Sequence, residues 1–152
     1  MTDYTFSIHT SHEQDDMEVI RRGMTAIYTG LGQNIIERTG MSELGRQLSV
    51  FIRNSDDEIV GGLVGIMFGG WLYISLLWIE KSIRGNGYGT KLMGMAEREA
   101  AEAGCNYVHL DTYSFEAKPF YEKLGYELFA KLDDYPSGHC KYFLKKQLAS
   151  RV

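Results

Sequence analysis

The sequence predicts a mixed α/β fold: a central, mostly antiparallel sheet of about six to seven strands, flanked by about four helices. Three apolar-rich runs, residues 47–53, Ile59–Phe68 and Trp71–Ile79, are separated only by "NSDDE" and "GG", both hairpin loop signals. Helical periodicity then appears between the third run and a further strand. A strand, a helix and a strand in that order make a crossover, which leaves its two strands parallel.

Taken in order, residues 4–9 alternate enough for a short first strand. "SHEQDDMEVIRRGMTAIYTG" follows with a cap signal at Ser11 and apolar spacing at Met17, Ile20, Met24 and Ile27, which predicts a helix. Gly30 and Gly32 are expected to break it, and "QNIIERTGMSELG" reads as a shorter helical or irregular segment. The three apolar runs form an antiparallel meander. After the turn "RGNGYG", Leu92, Met95 or Ala96, Ala100 and Ala103 fall on one helical face, with Lys91, Arg98, Glu99 and Glu102 elsewhere, until Gly104 stops the helix. "CNYVHLDTY" is the fifth strand, and residues 118–124 are a short helix ended by Gly125. Strands at 126–131 and 141–148 enclose "DDYPSGH". The fourth strand, Trp71–Ile79, and the fifth are the parallel pair. With no repeat, low-complexity tract or linker, residues 1–152 read as one domain.

Charge and composition exclude several partners. The net charge is −4 and no basic run exceeds the pairs Arg21-Arg22 and Lys145-Lys146, so nucleic acid is not an expected partner. Cys105 and Cys140 stand alone, without the close spacing of a metal site or disulfide framework, so no metal is expected and a reduced, cytoplasmic setting fits. The N-terminus lacks a basic start followed by an apolar core. The longest apolar run, "WLYISLLWI", is too short for a membrane-spanning helix, so neither a signal peptide nor a membrane contact is expected.

The segment "IEKSIRGNGYGTKLM" carries glycines at alternate positions, Gly85, Gly87 and Gly89, just before a helix. Glycine lets the chain bend sharply and removes side chains that would hold a ligand off the main-chain N–H groups. The helix start adds unpaired donors and a positive dipole end, and Lys81, Arg84 and Lys91 lie nearby with no acid from Lys81 to Ala96, so an anion is expected. Neither the dinucleotide nor the mononucleotide glycine template fits the spacing. On the glycines alone, a tight turn chosen only for its φ angles accounts for the segment as well.

Two strings go further. "RGNGYG" resembles the Arg/Gln-x-x-Gly-x-Gly/Ala acyl-CoA signature of the GNAT N-acetyltransferase superfamily, with Arg84, Gly87 and Gly89 in the signature places. "AKPFYEKLGYE", residues 117–127, resembles that superfamily's late motif after the fifth strand. The resemblance spans nearly the whole chain and leaves only the region around residues 32–45 poorly defined. It implies that the parallel fourth and fifth strands splay to hold coenzyme A. The diphosphate would be gripped by main-chain N–H groups of Arg84, Gly85, Asn86, Gly87, Tyr88, Gly89 and Thr90. The pantetheine arm would lie along the main chain of Leu77, Trp78 and Ile79.

For the chemistry, the resemblance implies acetyl-CoA as donor and Tyr121 as the general acid that protonates the leaving thiolate, a phenol being protonated at neutral pH. A main-chain N–H near Leu77 would polarise the carbonyl. The base stays open among Asp111, His109 and Glu80. Asp111 and His109 alternate onto one face of the fifth strand beside Tyr107 and Tyr113, and Glu80 ends the fourth. Each of the three also has an ordinary structural role available. The chain departs from the family twice: Ser75 stands where some members carry a strand glutamate, and Ser114 where asparagine is common. A serine contact to the cofactor would lack the paired donor and acceptor of an amide.

The acceptor is expected on the side opposite the cofactor, against Tyr28, Glu37, Trp71, Tyr73, Tyr135 and His139, an aromatic and acidic set that suits a cationic amine. Ordinary packing explains any one of these residues equally well. The expected activity is acetyl-CoA-dependent N-acetylation of a small-molecule primary amine. Acetylation of a protein lysine or N-terminus, and a non-catalytic coenzyme A-binding regulatory module, are the alternatives. A final strand available for pairing makes a homodimer reasonable.

Overall fold

The computed structural model describes residues 4–9, 16–41 and 45–148. The chain falls into two units, Met1–Leu44 and Gly45–Val152.

Among the described residues the first unit contains one helix, α1 (Asp16–Thr39). It runs through Gly30 and Gly32, which do not stop it. Each interior glycine costs only about 1 kcal/mol relative to alanine, which a helix of 24 residues absorbs. The helix ends instead at Gly40, whose φ of +67° is the left-handed geometry of a terminator and whose N–H closes on Ile36 O at 2.8 Å. Much of the expected second segment, "QNIIERTGMSELG", is therefore the end of α1. Residues 4–9 form no strand, because no other segment of the described chain offers them a hydrogen-bonded ladder. The Ser11 cap signal lies outside the described residues.

The second unit is a six-stranded sheet with two helices. In chain order it comprises β1 (Arg46–Arg53), β2 (Ile59–Phe68), β3 (Trp71–Ile79), a 3₁₀ turn (Lys81–Ile83), α2 (Tyr88–Glu102), β4 (Tyr107–Tyr113), α3 (Lys118–Lys123), β5 (Glu127–Asp133) and β6 (Cys140–Gln147). The spatial order is β1-β2-β3-β4-β6-β5, antiparallel throughout except for β3 and β4. The strand predicted as fourth is thus β3, since the expected first strand is absent.

One sheet face carries the core. Leu63, Leu72, Ile74, Val108, Leu110 and Leu144 pack with Leu92, Met93, Ala96 and Ala100 of α2. Met93, not Met95, completes the buried stripe of that helix. Removing a side chain as enclosed as Leu63 or Leu72 costs about 2–5 kcal/mol.

The parallel ladder is short, running from Trp71↔Tyr107 to Ile74↔Leu110, although both strands continue. Between β2 and β3 the register jumps from Gly65↔Ile74 to Val64↔Leu76, leaving Ser75 as an extra residue in β3. Such a bulge bends and twists its strand. The Ser75 hydroxyl caps it by donating to Val64 O at 3.1 Å. Gly65 permits the tight pairing here, because a Cβ at that position would lie 2.6 Å from Tyr73 O. Meanwhile β4 stays paired with β6 to its end, from Tyr107↔Gln147 to Tyr113↔Lys141. It is β3 that leaves the pair.

Candidate functional site

A cavity of about 680 Å³ lies beside the parting strands. Its first wall is Leu77, Trp78 and Ile79 with Ile83, Arg84, Gly85, Gly87, Tyr88, Gly89 and Thr90 of the turn and the start of α2. Its second wall is Thr112 at the end of β4, the connection Phe115, Glu116 and Ala117, and Phe120 and Tyr121 of α3.

Gly85 and Gly87 take φ of +80° and +77°, with nothing within 4 Å of where a Cβ would stand. Their need is conformational. Gly89 differs: a Cβ there would meet the Phe120 ring at 3.0 Å, so this glycine lets α3 close on the start of α2. Gly87 caps α2, and the first bond of the helix is Lys91 N–H to Gly87 O at 3.0 Å. The main-chain N–H groups of residues 88–90 therefore have no main-chain acceptor in the helix. These residues line the cavity with the positive end of the dipole behind them, an arrangement that favours an anion. The Arg84 Nε donates to Ile79 O at 2.8 Å and ties the turn to the end of β3. Asn86 does not line the cavity: its amide donates to Ile83 O and Arg84 O and holds the turn itself.

Tyr121 reaches the same cavity from the second wall and is only 7% exposed. Burial first, then the negative charges of Glu116 and Asp111, pushes its phenol up to about 12. Phe120 and Tyr126 pack edge-on to it at 5.1 and 6.0 Å between ring centres. Behind them Tyr126 donates to Glu97 Oε1 at 2.9 Å, and Lys146 Nζ lies 2.7 Å from Glu97 Oε2. This bracket joins α2 to β6 and to the residue just before β5.

The other sheet face is aromatic. Trp71 stacks on Tyr107 with ring centres 4.5 Å apart, and Tyr73 stacks on His109 at 4.8 Å. Trp71, Tyr73 and His109 line a second cavity of about 380 Å³ with Ile66, Phe68 and Gly69. Tyr73 donates to Asp111 Oδ2 at 2.9 Å, and Lys141 Nζ lies 2.8 Å from Asp111 Oδ1. The Lys141 ammonium also sits 5.5–5.6 Å from the ring centres of Tyr113, Tyr135 and Phe143. Burial holds the His109 imidazole below the usual histidine range, opposed in part by Asp111, so it is neutral at pH 7.

The sequence-predicted residues thus separate. Leu77, Trp78, Ile79, Arg84, Gly85, Gly87, Tyr88, Gly89, Thr90 and Tyr121 meet in one cavity. Trp71, Tyr73, Asp111 and Tyr135 share the aromatic face, and His139 packs edge-on to Phe115 at 4.8 Å. Ser114 lies outside the cavity lining; its hydroxyl accepts Cys140 N–H at 3.2 Å and stands 3.4 Å from His139 Nδ1. Glu80 is also outside the lining, with Oε1 accepting the Ser82 hydroxyl at 3.0 Å. Tyr28 and Glu37 stand on α1, in the other unit.

Comparison with known proteins resolves the lineage. The Acetyltransferase (GNAT) family matches residues 20–126. The chain belongs to the GNAT acetyltransferase family. It is 39% identical over 102 residues to an acetyltransferase of Agrobacterium fabrum, covering 67% of this chain and 74% of that one. It is 41% identical over 92 residues to the blasticidin-S acetyltransferase of Streptomyces morookaense, covering 60% of this chain and 68% of that one. A crystal structure assigned as an acetyltransferase from Agrobacterium tumefaciens superposes with a TM-score of 0.77 at 33% identity, over 95% of this chain and 99% of that one. An aminoglycoside 6′-N-acetyltransferase crystallised with coenzyme A shares the fold at 22% identity, with a TM-score of 0.62 over 77% of this chain and 79% of that one.

Within this GNAT chain, the donor set fits the group the family implies. Uncapped N–H groups suit a diphosphate, and the β3 edge past Ile74 offers main-chain partners to an extended arm. Sequence reasoning missed Thr112, Glu116, Phe120 and Lys141. Glu116 lies just outside the "AKPFYEKLGYE" string, and Lys141 meets Asp111 only through the β4–β6 register, which pairs Tyr113 with Lys141. Strand alternation alone does not reveal such a register.

Proposed function

We propose that this protein transfers an acetyl group from acetyl-CoA to the primary amine of a small molecule. The observation that carries the reading is the departure of β3 from β4 beyond Ile74↔Leu110, at a cavity shared by the N–H donors of residues 88–90 and the Tyr121 phenol.

Acetyl-CoA supplies the activated acyl group as a thioester. The main chain of residues 88–90 binds its phosphates, and the β3 main chain at Leu77, Trp78 and Ile79 aligns its arm. An N–H near Leu77 donates to the carbonyl oxygen as negative charge gathers there. The amine nitrogen bonds to the carbonyl carbon and the carbon–sulfur bond breaks. Tyr121 gives its proton to the departing sulfur, a role in keeping with a phenol that burial keeps protonated. The amine's proton passes, directly or through water, to the aromatic face, where neutral His109 and the Asp111 carboxylate stand. Glu80, committed to Ser82 and outside the cavity, is the weaker candidate.

A small-molecule acceptor is supported by the relatives, which include a blasticidin-S acetyltransferase and, at the level of fold, an aminoglycoside acetyltransferase. Thermal-shift measurement with acetyl-CoA, CoA and NAD tests the donor: the first two should raise Tm and NAD should not. A screen of amines for CoA release, with blasticidin S and an aminoglycoside in the panel, tests the acceptor. Absence of any shift with acetyl-CoA removes the proposal. Turnover of a lysine peptide alone would move the acceptor to proteins.

A further inference from the structure

We infer that Glu116 is a cofactor-binding residue whose free carboxylate oxygen accepts an amide N–H of the pantetheine arm, an assignment that rests on the coenzyme A reading above. Glu116 is the one acidic residue among the described residues lining the donor cavity. A carboxylate beside a site built for phosphates is a liability, since two anions in one groove repel. It is compatible with a ligand segment that is uncharged and donates.

The carboxylate is held in place. Glu116 N–H donates to Tyr113 O at 3.0 Å, closing the turn after β4. Oε2 accepts the Thr112 hydroxyl at 3.2 Å and lies 3.5 Å from Tyr113 N. Thr112 itself is 3% exposed and anchors the carboxylate from the protein side, while Glu116 is exposed. Oε1 accepts no hydrogen bond among the described residues. An ionised carboxylate only accepts, and it has four lone-pair sites to fill. A fixed carboxylate with one unpartnered oxygen at the cavity wall is an acceptor prepared for a donor.

Placement selects the donor. Glu116 stands on the β4–α3 wall with Thr112 and Tyr121, whereas the glycine turn and its N–H groups form the other wall. The phosphates and the thioester carbonyl of coenzyme A are acceptors and gain nothing from Glu116. The pantetheine arm carries two amide N–H groups, and it is the segment that must pass Tyr121 for the sulfur to be protonated there. Main-chain pairing with β3 would satisfy amide groups on one side of the arm, and Glu116 takes a donor turned to the other.

The test compares two ligands by calorimetry: CoA, and adenosine 3′,5′-bisphosphate, which lacks the arm. Glu116→Ala should weaken CoA about tenfold, in line with a hydrogen bond to a charged group, and leave the bisphosphate within about twofold. Glu116→Gln, nearly isosteric and still offering a carbonyl oxygen, should fall between wild type and Glu116→Ala. Unchanged CoA affinity in both variants overturns the assignment. Equal weakening of both ligands also overturns it, by making the effect a general distortion. A fall in kcat at saturating CoA with unchanged affinity would reassign Glu116 to proton transfer. If the wild-type protein binds neither ligand, the coenzyme A reading fails first, which separates the two failures.

Discussion

The Tyr73 side chain reaches from β3 to Asp111 just past the end of the parallel ladder, with the phenol hydroxyl donating to Oδ2 at 2.9 Å. Lys141 holds the other oxygen at 2.8 Å, and the two charged side chains are only 18% and 19% exposed. A pair so shielded lies between the surface case and the buried one. A double-mutant cycle of Asp111→Asn and Lys141→Met, followed by urea unfolding, should give a coupling energy of about 1–2 kcal/mol. The bond to Asp111 raises the Lys141 ammonium above the usual lysine range. Its contribution is therefore complete at neutral pH and is lost as pH rises past the ordinary lysine pKa of about 10.5 and through the raised folded value. The stability gap between wild type and Asp111→Asn should narrow over the same interval.

Tyr121→Phe removes the hydroxyl and keeps the packing. Turnover should fall about 100-fold, the range of a lost general acid, with CoA affinity changed less than about twofold. Steady-state kinetics and calorimetry check the two halves; unchanged turnover would strip Tyr121 of its assigned role. Because the folded phenol titrates near 12, above the ordinary tyrosine value of 10, it stays protonated across the working range. Between about pH 10 and 12 the unfolded chain releases this proton while the folded chain keeps it, so stability declines there as pH rises. Tyr121→Phe should flatten that part of the stability curve.

The glycines of the turn should separate by cause. Gly87→Ala places a side chain in open space but at φ +77°, a strain of about 1–2 kcal/mol that no second mutation in a neighbouring side chain relieves. Gly89→Ala drives a methyl into the Phe120 ring at 3.0 Å, an overpacking of about 1–3 kcal/mol. Phe120→Leu should restore part of the stability of Gly89→Ala and none of that of Gly87→Ala. Thermal unfolding of the four variants decides it.

Glu97→Ala strips the acceptor from both Tyr126 and Lys146, leaving a buried hydroxyl and a half-buried ammonium without their partner. The expected cost is about 2–4 kcal/mol in urea unfolding. Tyr126→Phe, which removes only one donor, should cost about 1 kcal/mol.

Much of the sheet was legible because its signals are local. "NSDDE" and "GG" mark hairpins where β1, β2 and β3 turn, and Gly104 and Gly125 follow the ends of α2 and α3, with φ of +91° and +86°. The same kind of signal misled at Gly30 and Gly32. A glycine stops a helix only where the chain turns left-handed, as Gly40 does, and sequence does not say which glycine will. The string at residues 4–9 alternates as a strand should but lacks a ladder partner among the described residues. In the candidate site the glycine turn and Tyr121 could be read from strings, whereas the diversion of Ser114 to Cys140 and the tie of Lys141 to Asp111 depend on pairing between segments distant in sequence.

The extra residue at position 75 acts as a wedge driven into the middle of the sheet. Shortening the strand by that one serine would keep Leu77 opposite Leu63 and Ile79 opposite Gly61, restore an unbroken ladder with β2, and let the seam zip shut toward β4. The slot between the strands is held open by counting residues rather than by a hinge or a lid. A deletion that touches no ligand-facing side chain chemistry would therefore suffice to seal it.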